Sequence, residues 1–259
     1  MKNLKKISLA YFVLLAAVIF CTFGLSACVM KITPSKNGEK QNATATLSDD
    51  ELYDMAVRDA VFAEEKDIYP LVNIVKDDPD VIWKGDKVLV TFLHKYPDSY
   101  PAGEEITLQW GNVWCVSAGE NYRWIKENGD GVTDWTKRLL QVMGMPLWKA
   151  STTVTAMWVD ASLLHRPAYV ADAAAPMQTT LVKTGDEEFD DTFKAWFDDN
   201  ILWSYFESKF PWTRLGYTYD WADNGTAYGL SEFLIFSGAK ATIEYTYSID
   251  DFAEYVKNL

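Results

Sequence analysis

From Lys31 to Leu47 the chain offers almost nothing to bury, being largely Lys, Thr, Ser, Asn, Gln and Gly, and order is expected to begin sharply at Ser48. A polar stretch of this kind cannot offset its conformational entropy by packing. A core must therefore be built from residues 48–259, the length of one ordinary domain. Ser48-Asp49-Asp50-Glu51 is a capping box, and Leu52, Met55 and Ala56 follow at helical spacing. Together they predict a helix over about 49–65.

Strand signals come next. Val81 to Trp83 and Lys87 to Leu93 flank a Gly-containing turn and read as a hairpin. Ile106 to Trp110 and Val113 to Val116 read as two more strands around Gly111-Asn112. Ser117-Ala118-Gly119-Glu120 resembles another capping box, opening a short helix. A second helix follows Thr133, with Trp135, Leu139, Val142 and Met143 on one face, stopped by Gly144 and Pro146. Thr152 to Val159 is rich in β-branched residues and predicts a strand. Residues 167–185 lack periodicity and form the longest loop, the expected place for disorder or a lid. From Asp186 a helix begins with acidic residues at its positive end. It becomes apolar nearly all round at Ile201 to Phe206, which predicts a buried second half. Strands at about 227–236 and 240–247, joined at Ser237-Gly238, precede a terminal helix capped by Ser248. Interspersed elements with several tight turns imply a single α+β domain, its sheet mixed or largely antiparallel, with helices packed on it.

The N-terminus carries an address. Lys2, Lys5 and Lys6 precede an uncharged apolar run, Ile7 to Gly24, and Leu25-Ser26-Ala27-Cys28 follows. Basic flank, apolar core and small residues before a cysteine suit a signal peptidase. The quartet resembles the lipobox of bacterial lipoproteins. That resemblance implies a signal peptide over 1–27, a diacylglycerol and usually a further acyl chain on Cys28, and a flexible tether over 28–47. It places the domain outside the cytoplasm, held by lipid on the cell membrane or the outer membrane; Val29 in place of Asp implies the outer one where two membranes exist. Each buried methylene contributes about 0.8 kcal/mol to such anchoring. The alternative is an uncleaved anchor, because Ile7 to Met30 is long enough to cross about 30 Å of hydrocarbon.

Charge narrows the partners. The chain has 24 Lys and Arg against 37 Asp and Glu, a net charge of −13, and removal of Lys2, Lys5 and Lys6 takes the mature chain to −16. Nucleic acid is excluded as a natural partner, since phosphate attraction dominates such binding. Anionic lipid headgroups are disfavoured too, which leaves the tethering to the lipid on Cys28. With Cys21 removed and Cys28 acylated, Cys115 stands alone and no intramolecular disulfide can form. Its apolar setting, Val113-Trp114-Cys115-Val116, marks it as a small core residue.

Aromatic residues make up 15% of the chain, more than a core of this size requires. On an exported protein they suggest platforms for sugar rings or for a partner surface. The densest polar-aromatic stretch runs from Phe210 to Trp221, and alternation from Arg214 would put Tyr217, Tyr219 and Trp221 on one strand face. Trp158, His165, Arg166, Trp212, Arg214, Tyr219, Asp220 and Glu232 are the candidate ligand-binding residues. Structural pairing is the competing role for Arg166 and Arg214. Asp220 to Glu232 only partly matches a calcium loop: Ala222 fails at a ligand position and Glu232 falls one residue late. His94 and His165 lack metal-ligand spacing, so no metal or cofactor is expected. Ser231 lacks the second Gly of a nucleophile elbow, and the Ser237-x-x-Lys240 and Lys183-Thr184-Gly185 matches occur in the wrong order for penicillin-interacting enzymes.

The expected function is a lipid-anchored envelope module that binds a glycan, another ligand or an envelope protein without catalysis. A small hydrolase acting on glycan or peptidoglycan through Asp220 or Asp223 paired with Glu232 is the alternative, and a purely structural envelope role fits the same residues. The anchor is directly testable: Cys28→Ala should abolish incorporation of labelled palmitate and slow signal removal, and unchanged labelling would refute acylation at Cys28.

Overall fold

The computed structural model describes residues 47–259; the expected signal segment, Cys28 and the expected tether up to Thr46 lie outside the described residues. No helix among the described residues is long and apolar enough to cross a membrane. Among the described residues, eight antiparallel strands and five α-helices make an α+β fold. The strands are β1 (Trp83–Lys84), β2 (Lys87–His94), β3 (Glu105–Thr107), β4 (Val113–Ser117), β5 (Thr153–Asp160), β6 (Tyr217–Tyr219), β7 (Tyr228–Ile235) and β8 (Lys240–Ser248). Their order is β3-β8-β5-β2-β4-β7-β6, with β1 also beside β2.

Helices α2 (Ala118–Asn128), α3 (Trp135–Val142) and α5 (Ile249–Lys257) bury their apolar stripes on one face, where Ile125, Leu139 and Phe252 meet Val116, Ala156 and Leu230. On the other face Val88, Val90, Met157, Phe233 and Ile243 pack under irregular segments that contribute Val72, Tyr100, Leu108 and Leu164. A bulge between β5 and β8 serves both layers. Ala156 pairs with Tyr245 but Met157 with Ile243, so Glu244 is the extra residue and side-chain parity switches there,.

The sheet cannot be flat, because the chain is too short to cross it,. Phe236 to Ala239 connect β7 to β8, which are four places apart in the order. A flat sheet would separate them by about 19 Å at about 4.8 Å per strand, while the connection reaches at most about 17 Å. Residues 108–112 join β3 to β4 over the same number of places. The two connections are tied together, with Leu108 N–H donating to Ala239 O at 2.9 Å and Gly238 N–H to Leu108 O at 2.7 Å.

Several expectations are corrected here. The first helix, α1 (Asp49–Asp59), keeps its capping box but ends early. The Ala60 carbonyl accepts from the Tyr205 hydroxyl at 3.2 Å and the Val61 carbonyl from Arg214 at 2.5 Å, so side chains take acceptors that further helix would use. The strands flanking Gly111-Asn112 do not pair with each other: β3 joins β8, and β4 joins β2 and β7. Similarly, β7 and β8 share a short connection without being neighbours. The box at Ser117 does not form. The serine hydroxyl donates to Asp80 O, and Glu120 is drawn away to β7. The helix after Thr133 is α3, capped by Asp134, which accepts from Lys137 N at 2.8 Å.

Residues 167–185 form no lid. Ala168, Val170, Ala171, Ala173 and Met177 are buried, and the segment is packed into the protein. The long helix α4 (Glu187–Leu202) passes into a π-helical turn, Trp203–Glu207. Widening turns Ser204 inward and leaves Leu202, Trp203 and Phe206 exposed, so its end is not buried as expected,.

Residues from Thr46 to Leu259 form one compact unit. It holds the four apolar clusters and the eight-stranded sheet of the described residues, so the fragment 46–259 has the core that a separately folding domain requires,. Close backbone approach is strictest at Gly229 on β7, where an added Cβ would stand 2.3 Å from Val142 O and 2.4 Å from Thr218 Oγ1. Gly229→Ala should lower stability by about 1–3 kcal/mol, read as a lower urea midpoint at unchanged m; an unchanged midpoint would show that α3 is free to shift away.

Candidate functional site

The ladder between β2 and β4 consists of Val90–Ser117 and Thr91–Val116 and then stops. The next positions in register, Phe92 with Cys115 and Leu93 with Trp114, do not pair, although β2 stays bonded to β5 and β4 to β7. Side chains fill the cleft where the strands part. They surround a cavity of about 620 Å³, within the usual range for small-ligand sites,.

Phe92 and His94 on β2 face Trp114 and Cys115 on β4 across this cavity. The end of α3 contributes Met143 and Met145, the π-helical turn Trp203 and Ser204, and the following loop Phe210 and Trp212. Tyr219 on β6 and Glu232 on β7 complete the wall. Trp212 is fixed by donation of its indole N–H to Pro167 O at 2.7 Å and by packing on Phe197 and Trp196. The rim is apolar and exposed. Trp110 and Tyr96 retain 68% and 58% of their surface, and Trp203 stacks on Phe210 at 5.2 Å. Lys149 lies over the Phe210 and Trp148 rings at this mouth.

Glu232 is the one carboxylate in the cavity wall. Among the described residues its side chain makes no ion pair, and its carboxyl has no hydrogen-bond partner. Some of its surface remains accessible, which the cavity provides, yet enclosure by protein pushes its pKa up to about 8,. His94 is held neutral, burial lowering its pKa to about 4. Its Nε2 meets Thr155 Oγ1 at 2.7 Å and its Nδ1 accepts from Tyr96 N at 3.0 Å. The Cys115 thiol is raised by burial and then by nearby Glu232, so it is no nucleophile at neutral pH,.

Of the candidate residues, the fold brings Trp212, Tyr219 and Glu232 to this cavity and places the others elsewhere. Trp158 packs on the helix-covered face and donates to Glu244 at 2.6 Å. His165 is wedged against Phe189 and Phe236, with its pKa lowered by burial. Arg166 is fully buried and binds the carbonyls of Val72, Asp172 and Ala175 and the Asn73 side chain, tying loops together. Desolvation lowers its pKa to about 10. Arg214, at φ +59°, holds Tyr169 and the carbonyls after α1. Asp220 takes a two-pronged bond from Arg138 at 2.6 and 2.9 Å and also accepts from Asn224. Its oxygens are therefore engaged, and among the described residues no three acidic, His or Cys side chains gather around a metal position.

Sequence reasoning missed Trp114, Phe92 and His94 as cavity residues. Each reads as ordinary strand sequence, and only the parting of β2 from β4 exposes it. Glu120 was also missed. It is buried beside a shallow second cleft lined by Asp80, Arg123 and Tyr228. It accepts from Ser231 N at 2.7 Å, Ser231 Oγ at 3.1 Å and the Tyr228 hydroxyl at 3.0 Å. Burial raises its pKa to about 7 despite these donors. Ser231 also accepts from Val72 N at 2.8 Å, so this cluster joins three segments.

A carboxyl whose pKa is higher folded than unfolded favours the folded state while protonated. Between pH 4.5, its ordinary value, and about 8, Glu232 loses that advantage as pH rises,. Glu120 acts in the same direction up to about 7. Relative to wild type, Glu232→Gln should gain on the order of 1–3 kcal/mol on going from pH 5 to pH 8, measured by urea denaturation. A difference independent of pH would show that Glu232 is well solvated.

Comparison with protein-family models, with curated proteins and with solved structures finds no match to this chain.

Proposed function

We propose that this is a lipid-anchored protein of the bacterial envelope whose domain binds a small, largely apolar ligand in the cavity between β2 and β4. The envelope address rests on the resemblance of Leu25 to Cys28 to a lipobox. The binding reading rests on one observation, an open cavity of ligand size walled by Phe92, Trp114, Trp203, Phe210, Trp212 and Tyr219 and carrying one carboxyl. Rigid rings give large contact area at little entropy loss, and their mutual packing holds that shape before a ligand arrives.

The hydrolase alternative retains one supporting feature, a Glu232 protonated near neutrality as a general acid must be. Its partner is lacking in the cavity: Asp220 is bound to Arg138, and the wall holds no second acid to activate water or form a covalent intermediate,. Binding is therefore the better-supported reading.

A neutral fluorescent naphthylamine titrated into fragment 46–259 should bind saturably at one site and quench tryptophan emission. Met145→Trp, which adds bulk at the cavity wall, should weaken binding about tenfold or more. Absence of saturable binding by wild type, or equal binding by the variant, would overturn the cavity reading. Release of product from glycan or peptidoglycan, lost in Glu232→Gln, would establish the hydrolase instead.

A further inference from the structure

We propose that the cavity selects an organic cation, an ammonium group on an apolar body, with Glu232 as its counter-ion and the surrounding rings as its cage. This rests on the ligand-binding reading above and names the chemistry of the ligand. The argument begins with the contrast among buried charges. Arg138 and Asn224 engage Asp220, three donors converge on Glu120, and Arg166 meets carbonyls and an amide. Glu232 has no such partner among the described residues. A carboxyl placed in an apolar wall costs free energy unless something offsets its desolvation. In this protein the cavity is what faces it, so a ligand is what can supply the missing partner.

The wall also says which partner. Both ring nitrogens of His94 are occupied, so the histidine offers a ligand neither charge nor a free donor. Lys149 stands at the mouth over aromatic rings. The interior thus has one group able to become charged, and that charge is negative. An anion would meet repulsion there, while a neutral hydrocarbon would leave the carboxyl unmatched. A cation gains from Glu232 and from the negative faces of aromatic rings, tryptophan being the strongest such partner. The apolar remainder of about 620 Å³, and the exposed rings of Trp110 and Trp203 at the mouth, suit an apolar body rather than a bare ion.

Binding of this kind must move a proton. The titratable groups lining the cavity are Glu232, His94, Tyr96, Tyr100, Cys115, Tyr219 and Lys149. Of those whose titration is displaced, His94 is shifted well below neutrality and Cys115, Tyr100 and Tyr219 upward, leaving Glu232 to change charge between pH 5 and 8. A cation entering below pH 8 forms its ion pair by displacing the carboxyl proton to solvent.

Calorimetric titration of fragment 46–259 with octyltrimethylammonium, 1-octanol and octyl sulfate, each below its micelle concentration, tests this. The cation should bind about tenfold or more tightly than either other probe, a preference worth about 1.4 kcal/mol. Its affinity should rise about tenfold per pH unit up to about pH 7.5 and level above 8. Titrations at pH 6.5 in buffers of different ionisation enthalpy should show about one proton released per cation bound. Glu232→Gln should erase the preference and the pH dependence. The proton count in wild type stands whether or not that variant folds. Equal binding of 1-octanol and the cation, or cation binding without proton release, overturns the proposal yet leaves a ligand cavity. Preference for octyl sulfate overturns it as well. Failure of all three probes overturns both the proposal and the cavity reading.

Discussion

Phe236 to Ala239 set a geometric limit that governs this fold. They must reach from one strand to another four places away, and an extended chain of that length falls short across a flat sheet,. The sheet therefore bends until the β3–β8 end meets the connection leaving β7, where Leu108 bonds to both Gly238 and Ala239. Bending puts Ile235, Ala241 and Ile243 into one core beside Val88 and Val90. It also asks for a place where neighbouring strands can part. The seam with the shortest ladder among the central strands is β2–β4, with two pairs against eight between β2 and β5, and the cavity opens there.

A gap in a sheet would ordinarily leave backbone and side chains facing water. Here rings fill most of it, and what remains is a volume with one carboxyl in its wall. The contrast with the neighbouring position on β7, Ser231, is instructive. Glu120 lies nearly as deep as any carboxylate in the protein, but converging donors make it a structural joint. Similar desolvation acts on Glu232 without those donors. Geometry rather than residue type separates the joint from the group available to a ligand.

Local patterns in the sequence account for much of the secondary structure and little of the site. Capping chemistry at Ser48 and Ser248, alternation in residues 87–94 and the breaker at Gly144 all act over a few residues, so the elements were legible. Pairing partners were not, because nothing within Gly111-Asn112 or Ser237-Gly238 records a sheet that curls past its own turns. Turn-like sequence suggested hairpins where the chain makes crossings. The same limit applies to function. Trp212, Tyr219 and Glu232 could be picked out for their residue types, whereas Arg166, Arg214 and Asp220 look equally functional until their carbonyl and guanidinium partners are known. Apolar residues after Ile201 suggest burial, but through the π-helical turn Leu202, Trp203 and Phe206 are exposed, with Trp203 at the cavity mouth.

Strand order also dictates when this protein can become a protein. Only β1–β2 and β6–β7 join neighbours in sequence; every other pairing waits for distant chain. Such non-local topology folds slowly, and its sheet stays open until β8 and α5 are available. Until β8 arrives, β3 has no partner and β5 shows a bare edge open to pairing with another chain,. Until α5 follows, Phe252 and Val256 are missing from the core of the helix-covered face. A chain stopped just short of Lys240 would contain all the cavity residues and still lack a closed sheet to hold them, so β8 and α5 act as a clasp.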